Sequence, residues 1–317
     1  FQMRSVVHIL LAILAVAAAQ ENSTPDAPVS LPTPDVPVIL PISTRAVPVL
    51  PSCGQVQVNF EEEARRASRL SAPVQSGKFL VGGTQADYGT WPWTVSICIQ
   101  DWFGTCVYQA AGAIIDNNWV VTTHSAISLD IVPTTLRVRA GTINHGMNGQ
   151  FVKVREVHRP TDGSDIALIR LDAPLIFGPF TQPICLPTYD EDVVQAGVPA
   201  WFTSWGYTSP TFATVETYLQ QGELWISSNS VCDDFTTHTK NETQLCAGGF
   251  VGKGGLATCK FDMGGPLMQK RGDTWYLFGL SSTNNYVGSN CKSASVFTRV
   301  KAFCDWLEKI SGVSCLD

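Results

Sequence analysis

The sequence has few charged residues and no cluster of basic ones. Charged side chains make up 15% of its 317 residues and apolar ones 44%, a composition that excludes a disordered protein. The formal net charge is −6 and no block of Lys or Arg occurs, which argues against a nucleic-acid-binding protein. With five histidines and no Cys-x-x-Cys pair, a zinc site is disfavoured, and we expect no metal and no other cofactor.

The N-terminal segment combines a positive charge with an apolar run. Met3 and Arg4 precede an apolar stretch, 6–19, that ends in small residues. This order, with an apolar centre too short to span a bilayer, predicts a signal peptide over residues 1–19 that is cleaved near Gln20. No later stretch reaches the roughly 18 apolar residues of a membrane helix, so we expect a secreted protein without a membrane span.

The next zone, residues 20–79, is expected to be a Pro-rich spacer and prosegment. Prolines recur between Pro25 and Pro51, and proline at this density blocks helix and sheet pairing and favours an extended chain. A spacer is the simpler interpretation, and a ligand for a proline-recognising domain is the alternative. The ten cysteines of the whole chain suit an oxidising compartment better than the cytosol.

From Leu80 onward, short β-branched and aromatic runs alternate with Gly, Asn and Asp. Runs at this spacing predict an antiparallel sandwich or barrel. They include Trp93–Ile99, Val107–Ile115, Trp119–Thr123, Leu136–Ala140, Ile166–Leu171 and Trp275–Leu280. Apolar residues at helical spacing predict a terminal helix over Val300–Ile310.

Nine motifs occur in order in this region: LVGG at 80–83, then WPWTVSI, GAIIDNNWVVTTH, DIALIRL, PICLP, FTSWG, LCAGG, CKFDMGGPL and VFTRV. Together they resemble the motifs of the trypsin-like, chymotrypsin-fold serine proteases. The resemblance covers residues 80–312. It implies an all-β fold of two six-stranded antiparallel β-barrels with a cleft between them, here followed by the C-terminal helix. We therefore expect a trypsin-like domain over residues 80–317.

The family's nucleophile position is altered in this sequence. The catalytic serine of the family lies in a GDSGGP stretch, which here reads FDMGGP over residues 261–266, so Met263 takes the serine position. A thioether has no proton to lose and cannot serve as the activated nucleophile that acyl transfer requires. The glycine that precedes the aspartate in the family is Phe261 here, which implies an obstructed oxyanion site.

The family's histidine motif admits two alignments. The pattern T-A-A-H-C corresponds to Thr122–Ala126, and without a gap Ser125 takes the histidine position. A one-residue deletion would instead return His124 to the cleft. The family's histidine-loop disulfide maps to Ala126 and Ala110, and the joint loss of both cysteines favours the alignment without a gap.

Asp165 is the triad position that still matches the family. We expect it to be a buried carboxylate held by backbone N–H groups. The specificity pocket differs as well, since its base is Ala257 and its rim reads STN over 282–284. These changes predict an inactive homologue with no catalytic residue, and a secreted endopeptidase with an unorthodox site is the alternative.

Activation in this family requires cleavage before an IVGG-type start, after which the new ammonium pairs with the aspartate before the serine. Leu80 and Asp262 match these two positions. The residue before the bond is Phe79, preceded by Lys78, so a trypsin-like activator would cut one residue early. Whether the Phe79–Leu80 bond is cleaved stays open.

The resemblance also suggests a disulfide framework. It implies three bridges, Cys53–Cys185, Cys232–Cys246 and Cys259–Cys291. Four cysteines remain, and local pairing as Cys98–Cys106 and Cys304–Cys315 would leave none free, although the pairing of these four stays open.

Surface features and partners are weakly specified. Asn22 and Asn241 begin glycosylation sequons. Arg271-Gly272-Asp273 could present an adhesion motif to a cell-surface receptor, but Gly and Asp are also ordinary hairpin residues. We expect extracellular proteins as partners, and the sequence does not distinguish a cofactor or regulator from a component of an extracellular matrix.

Overall fold

The computed structural model describes residues 52–56, 83–207, 214–233, 242–248, 258–282 and 294–316. All of them belong to one unit, Pro48–Asp317. Several predicted features lie outside the described residues: the signal peptide, the Pro-rich spacer, both sequons, the Phe79–Leu80 bond, Ala257 and Cys291.

The first barrel is built from strands that bury at least one face in its interior. The strands of this half are β1 (Thr84–Gln85), β2 (Thr94–Gln100), β3 (Cys106–Asp116), β4 (Trp119–Thr122), β5 (Leu136–Ala140), β6 (Gln150–His158) and β7 (Ala167–Leu171). Six of them close antiparallel in the order β2-β3-β4-β7-β6-β5. On β5, Leu136, Val138 and Ala140 are buried while Arg137 and Arg139 lie on the other face, which is the two-residue period of a strand.

The second barrel follows the same plan. Its strands are β8 (Pro199–Ser204), β9 (Gln220–Ser227), β10 (Gln244–Gly248), β11 (Pro266–Arg271), β12 (Thr274–Ser281) and β13 (Ser295–Arg299). The sheet order is β9-β10-β13-β12-β11-β8, and an additional β9–β8 pairing closes the ring, with β1 added to β9. The prediction of two six-stranded antiparallel barrels is confirmed.

The C-terminal helix is shorter than predicted. Helix α1 (Asn229–Asp233) is a brief turn, and α2 (Cys304–Ser311) is the terminal helix. The preceding Val300–Phe303 forms a 3-10 turn instead of the first turn of the predicted helix. Val300 and Phe303 are both buried, and in a 3-10 turn residues three apart point the same way, so this geometry buries both.

The two barrels meet through buried side chains of β2 and β8. Thr94 Oγ1 lies 3.0 Å from Thr203 Oγ1, and both side chains are buried. Trp93 precedes Thr94 in the chain, and Trp205 follows two residues after Thr203. Both tryptophans are completely buried and belong to one continuous hydrophobic core. Within the described residues, no helix is long and apolar enough to cross a membrane.

Four disulfides brace this framework. The structure contains Cys53–Cys185, Cys98–Cys106, Cys232–Cys246 and Cys304–Cys315. Cys259 is also disulfide-bonded, while its expected partner Cys291 lies outside the described residues. A chain with this many disulfide-bonded cysteines is typical of a protein that folds in an oxidising compartment.

Candidate functional site

Ser125 and Asp165 are brought together by two paired strands. Ser125 follows β4 and Asp165 precedes β7, and the register pairs Thr122 with Ala167 at this end of the barrel. The Ser125 backbone N–H donates to Asp165 Oδ1 at 2.7 Å, and the Ser125 hydroxyl donates to Oδ2 at 2.9 Å. Residue 125 therefore faces the carboxylate with both its backbone and its side chain.

Asp165 also receives hydrogen bonds from the second barrel. The Ser282 hydroxyl donates to Asp165 Oδ2 at 2.5 Å, and the Thr298 hydroxyl donates to the Asp165 carbonyl at 2.6 Å. Asp165 thus links the two barrels through both its carboxylate and its backbone carbonyl, because Ser282 follows β12 and Thr298 lies on β13. Asp165 was expected to be a buried carboxylate held by backbone N–H groups, but it is half-buried and, among the described residues, accepts only one backbone N–H, from Ser125. The Ser282 and Thr298 hydroxyls could not be predicted, because no local motif marks them.

His124 does not share the Asp165 carboxylate. In the described part of the chain, the hydrogen bonds that the carboxylate accepts come from Ser125 and Ser282, and none comes from the His124 ring. The alignment without a gap places residue 125, not residue 124, against the aspartate, in agreement with this geometry. Ala110 and Ala126, which take the positions of the family's histidine-loop cysteines, are both buried in the core.

Met263 lies in a turn whose backbone is fixed by neighbouring strands. Its carbonyl accepts from Ala111 N–H at 3.0 Å, and the next N–H, of Gly264, donates to the Ser281 carbonyl at 2.8 Å. The Met263 side chain is partly buried against the core. Gly264 has φ +73°, and a Cβ there would lie 2.0 Å from Thr122 Oγ1. Close packing therefore dictates glycine at position 264 and holds Met263 in place.

Phe261 adopts a left-handed backbone conformation that non-glycine residues rarely take. Its φ is +68°, and its ring lies 5.1 Å from the Tyr207 ring. The Tyr108 hydroxyl donates to the Phe261 carbonyl at 3.1 Å. The ring contact and the hydrogen bond both help to offset the cost of the strained conformation, which is of order 1–3 kcal/mol. The phenyl group thus lies beside the turn that carries Met263.

Asp262 is completely buried and is held mainly by backbone groups. Its Oδ1 accepts from Gly206 N–H at 3.0 Å and its Oδ2 accepts from Cys259 N–H at 2.7 Å, and the Ser204 side chain also hydrogen-bonds it. Among the described residues, no Lys or Arg lies within ion-pair distance of this carboxyl. Burial therefore raises the pKa of Asp262 from 3.8 to about 7. Leu80, its expected partner after cleavage, lies outside the described residues.

The Arg-Gly-Asp sequence forms the turn between β11 and β12. Arg271 Nη2 lies 2.5 Å from Asp192 Oδ1, and its guanidinium lies 5.1 Å from the Phe278 ring. Gly272 has φ +57°, as the turn requires, and Asp273 is exposed. The arginine is therefore engaged within the molecule, which favours the hairpin interpretation of this sequence over the receptor motif.

The described residues contain no group of three or more His, Cys, Asp or Glu side chains placed to hold a metal ion. The candidate site consists of Ser125, Asp165 and Met263, together with Phe261 and Asp262, which lie in the same turn as Met263. Ser125 hydrogen-bonds Asp165, but a hydroxyl bonded to a carboxylate does not supply the imidazole that accepts a proton from a nucleophile.

A model of one protein family, trypsin, matches residues 80–307. The chain belongs to the trypsin family. Bovine (Bos taurus) coagulation factor XI is 31% identical over 245 residues, covering 74% of this chain and 38% of that protein. Ovochymase of Halocynthia roretzi is 29% identical over 260 residues, covering 77% of this chain and 16% of that protein. This trypsin-family chain therefore matches well under half the length of each of these relatives.

Proposed function

We propose that the chain is a secreted pseudoprotease that acts through protein binding, as an extracellular cofactor or regulator or as a matrix component. The proposal rests mainly on one observation: among the residues described, the Asp165 carboxylate accepts its hydrogen bonds from Ser125 and Ser282 rather than from a histidine ring. A serine hydroxyl at position 125 cannot take a proton from residue 263, and methionine at 263 has none to give. Both partners of the proton transfer are absent under this proposal.

The turn around residue 263 supports the same conclusion. In acyl transfer, backbone N–H groups beside the nucleophile stabilise the developing oxyanion, and this requires open space in front of them. Phe261 places a phenyl ring at this turn, in tilted contact with the Tyr207 ring. Loss of one oxyanion donor in a related type of site costs about 10²–10³ in turnover, and loss of the nucleophile on the order of 10⁶.

The protein-binding part of the proposal is supported by the hairpin between β2 and β3. Trp102 and Phe103 at its tip are fully exposed. The Cys98–Cys106 disulfide closes the hairpin, and the Asp101 carboxylate accepts from the N–H groups of Phe103 and Thr105 at 2.9 and 2.8 Å. A rigid tip that presents two aromatic rings loses little entropy on binding, and aromatic anchors dominate protein interfaces.

Secretion and domain boundaries remain part of this proposal. The signal peptide (1–19), the spacer and prosegment (20–79) and glycosylation at Asn22 and Asn241 rest on sequence patterns outside the described residues. The disulfides agree with an oxidising compartment. The name of one relative, coagulation factor XI, favours a role among extracellular proteins.

A covalent serine-hydrolase probe tests the catalytic part. The purified chain is incubated with a fluorophosphonate, with and without prior nicking by trypsin, and trypsin itself is the positive control. We expect no labelling of the chain in either state. Labelling that disappears when one residue is substituted would show a working hydrolase and overturn the proposal.

The proposal that the hairpin binds other proteins is tested by comparing which proteins two doubly substituted chains retain from the native secretion. We expect Trp102→Ser/Phe103→Ser to lose proteins that the unaltered chain retains. A matched control, Met147→Ser/Ile176→Ser, removes two other exposed apolar side chains and should retain them. Equal retention by the two variants would argue against the hairpin as the binding element.

A further inference from the structure

The outer face of the first barrel collects five cations from three neighbouring strands. Arg137 and Arg139 lie on β5, Lys153 and Arg155 on β6, and Arg170 on β7. All five are exposed or half-buried, and they alternate with buried residues of the barrel interior. We refer to these five side chains as the basic strip.

Two cations of the basic strip oppose each other directly. The register pairs Arg137 with Lys153, so their side chains share one face of the sheet. Like charges at directly opposed positions destabilise a sheet. In the described part of the chain, no carboxylate lies within ion-pair distance of Arg137, Arg139 or Lys153. Among the described residues, no carboxylate therefore neutralises these three charges, as expected when an external anion does so.

The two arginines of β5 are held in place by backbone carbonyls. Arg137 Nη1 donates to the carbonyls of Thr134 and Leu136, both at 2.8 Å. Arg139 donates from Nε to the His145 carbonyl at 3.1 Å, and its guanidinium lies 4.2 Å from the Phe151 ring centre.

Guanidinium groups fixed in this way lose less side-chain entropy when an anion binds. Each guanidinium has five N–H donors, so the carbonyl contacts leave others for a ligand.

Acidic residues reduce the charge of the basic strip only in part. Glu156 lies 3.6 Å from Arg155, 3.8 Å from Arg170 and 3.0 Å from the His158 ring. Asp172 follows β7, and its backbone N–H donates to the Lys153 carbonyl at 2.9 Å. Five cations and two carboxylates give a local charge of +3, whereas the whole chain carries −6.

The shape of the basic strip fits an extended anion. Positions 151 to 155 of β6 span about 13 Å, and three neighbouring strands span roughly 10 Å across. Arginine forks match the paired oxygens of phosphate-like and carboxylate groups, and sulfate presents the same geometry. Disulfide-rich chains work in oxidising surroundings, where sulfated polysaccharides occur and nucleic acids do not abound.

We propose that the basic strip binds a sulfated polysaccharide through charge complementarity with Arg137, Arg139, Lys153, Arg155 and Arg170. The ligand class is a linear polyanion with repeated sulfate groups. This binding is independent of whether the cleft cleaves peptides, so it can hold or fail separately from the proposed function.

Binding of the full-length chain to heparin, measured over a series of salt concentrations, tests this proposal. We expect binding at roughly 0.15 M salt that weakens steeply as salt rises, because bound counterions are released. Lys153→Ala/Arg155→Ala should weaken binding about tenfold or more and lower the slope of log affinity against log salt by about two. Its thermal stability should stay the same or rise, since Arg137 loses its like-charged neighbour.

Two further variants keep the outcome interpretable. Lys260→Ala/Lys309→Ala removes the same charge from exposed residues elsewhere and should leave the affinity nearly unchanged. Glu156→Gln removes the carboxylate shared by Arg155 and Arg170 and should tighten heparin binding several-fold.

Three results would overturn the proposal. The first is no heparin binding at that salt concentration. The second is an equal loss in the two double variants. The third is binding to duplex DNA, or to vesicles of anionic lipid, that matches heparin at equal charge.

Discussion

The two aspartates of the candidate site are held in different ways. Asp165 is half-buried at the joint between the barrels and accepts hydrogen bonds from hydroxyl groups of both. Asp262 is completely buried and accepts mainly from backbone N–H groups, of Cys259 and Gly206. A carboxylate held by side chains can keep its place when one partner is exchanged. A carboxylate held by backbone keeps its place only while the loop keeps its packing.

Under the proposed function, this difference explains how a trypsin-family framework can persist without its reactive groups. Ser125, although smaller than a histidine, donates hydrogen bonds to the Asp165 carboxylate, so this contact within the site is kept. The turn at residue 263 depends on close contacts of Gly264 rather than on the side chain of Met263. Substitutions at Gly264, Asp262 and Asp165 distinguish these two modes of support.

Of these substitutions, Gly264→Ala is expected to lower the free energy of unfolding the most. A Cβ at this position would lie 2.0 Å from Thr122 Oγ1 and 2.3 Å from the Ala111 carbonyl oxygen, at φ +73°. We expect a loss of about 4 kcal/mol or more in the free energy of unfolding, measured by denaturant titration.

Gly163→Ala is the matched control, because its φ is +78° and nothing lies within 4 Å of the added Cβ. It should cost only the backbone strain, about 1–2 kcal/mol. Equal losses in the two variants would show that the turn is not fixed by packing.

An effect of similar size, but spread over a pH range, is expected from Asp262. Its pKa is about 7 in the folded chain, because of burial, and 3.8 when the chain is unfolded. Between these values the unfolded chain has lost the proton that the folded chain retains. The contribution of this carboxyl to stability is therefore complete below about pH 4 and is lost as pH rises toward 7, by up to ~1.4 kcal/mol per pH unit.

Denaturant titrations at several pH values should show this fall, and Asp262→Asn should flatten it. The variant is compared with the unaltered chain at each pH, so other titrating groups cancel. A stability that instead rises over this range would mean that the carboxyl has a cationic partner, such as the Leu80 ammonium after cleavage. That result would contradict the unpaired state of Asp262.

The hydrogen bonds of Asp165 should contribute less to the free energy of unfolding than the packing around Gly264. Asp165→Ala leaves a backbone N–H and the hydroxyls of Ser125 and Ser282 without their acceptor, and we expect a loss of about 2–3 kcal/mol.

Ser125→Ala removes one hydroxyl and should cost about 1 kcal/mol, while Ser128→Ala, at an exposed position, should cost almost nothing. A double-mutant cycle over residues 125 and 165 measures their coupling. A coupling near zero would mean that Ser125 does not support Asp165.

The fold could be predicted from the sequence because short β-branched and aromatic runs are separated by turn residues and the nine motifs occur in order. The strands differ from the predicted runs by at most one residue at each end, and the helix begins at Cys304 rather than Val300. The first turn of the predicted helix could not be identified as 3-10 from periodicity. Spacings of three and four residues are both compatible with a helix, and burial of Val300 with Phe303 decides between them.

Parts of the surface depend on register and could not be predicted. No block of Lys or Arg occurs along the chain, yet the pairing of β5, β6 and β7 brings Arg137, Lys153 and Arg170 to one face. The Ser282 contact with Asp165 likewise joins residues from different barrels. Local sequence patterns carry no information on such distant pairs, because these contacts depend on the register and order in which the strands pair.

The most direct test of the central claim asks which residue faces Asp165. Met263→Ser restores a hydroxyl at the nucleophile position while His124 and Ser125 keep their native places. We predict that this variant neither reacts with a fluorophosphonate nor hydrolyses peptide substrates. Adding Ser125→His and Phe261→Gly to it should produce measurable labelling. Labelling of Met263→Ser alone that is abolished by His124→Ala would contradict the account, since it would place His124 against the carboxylate.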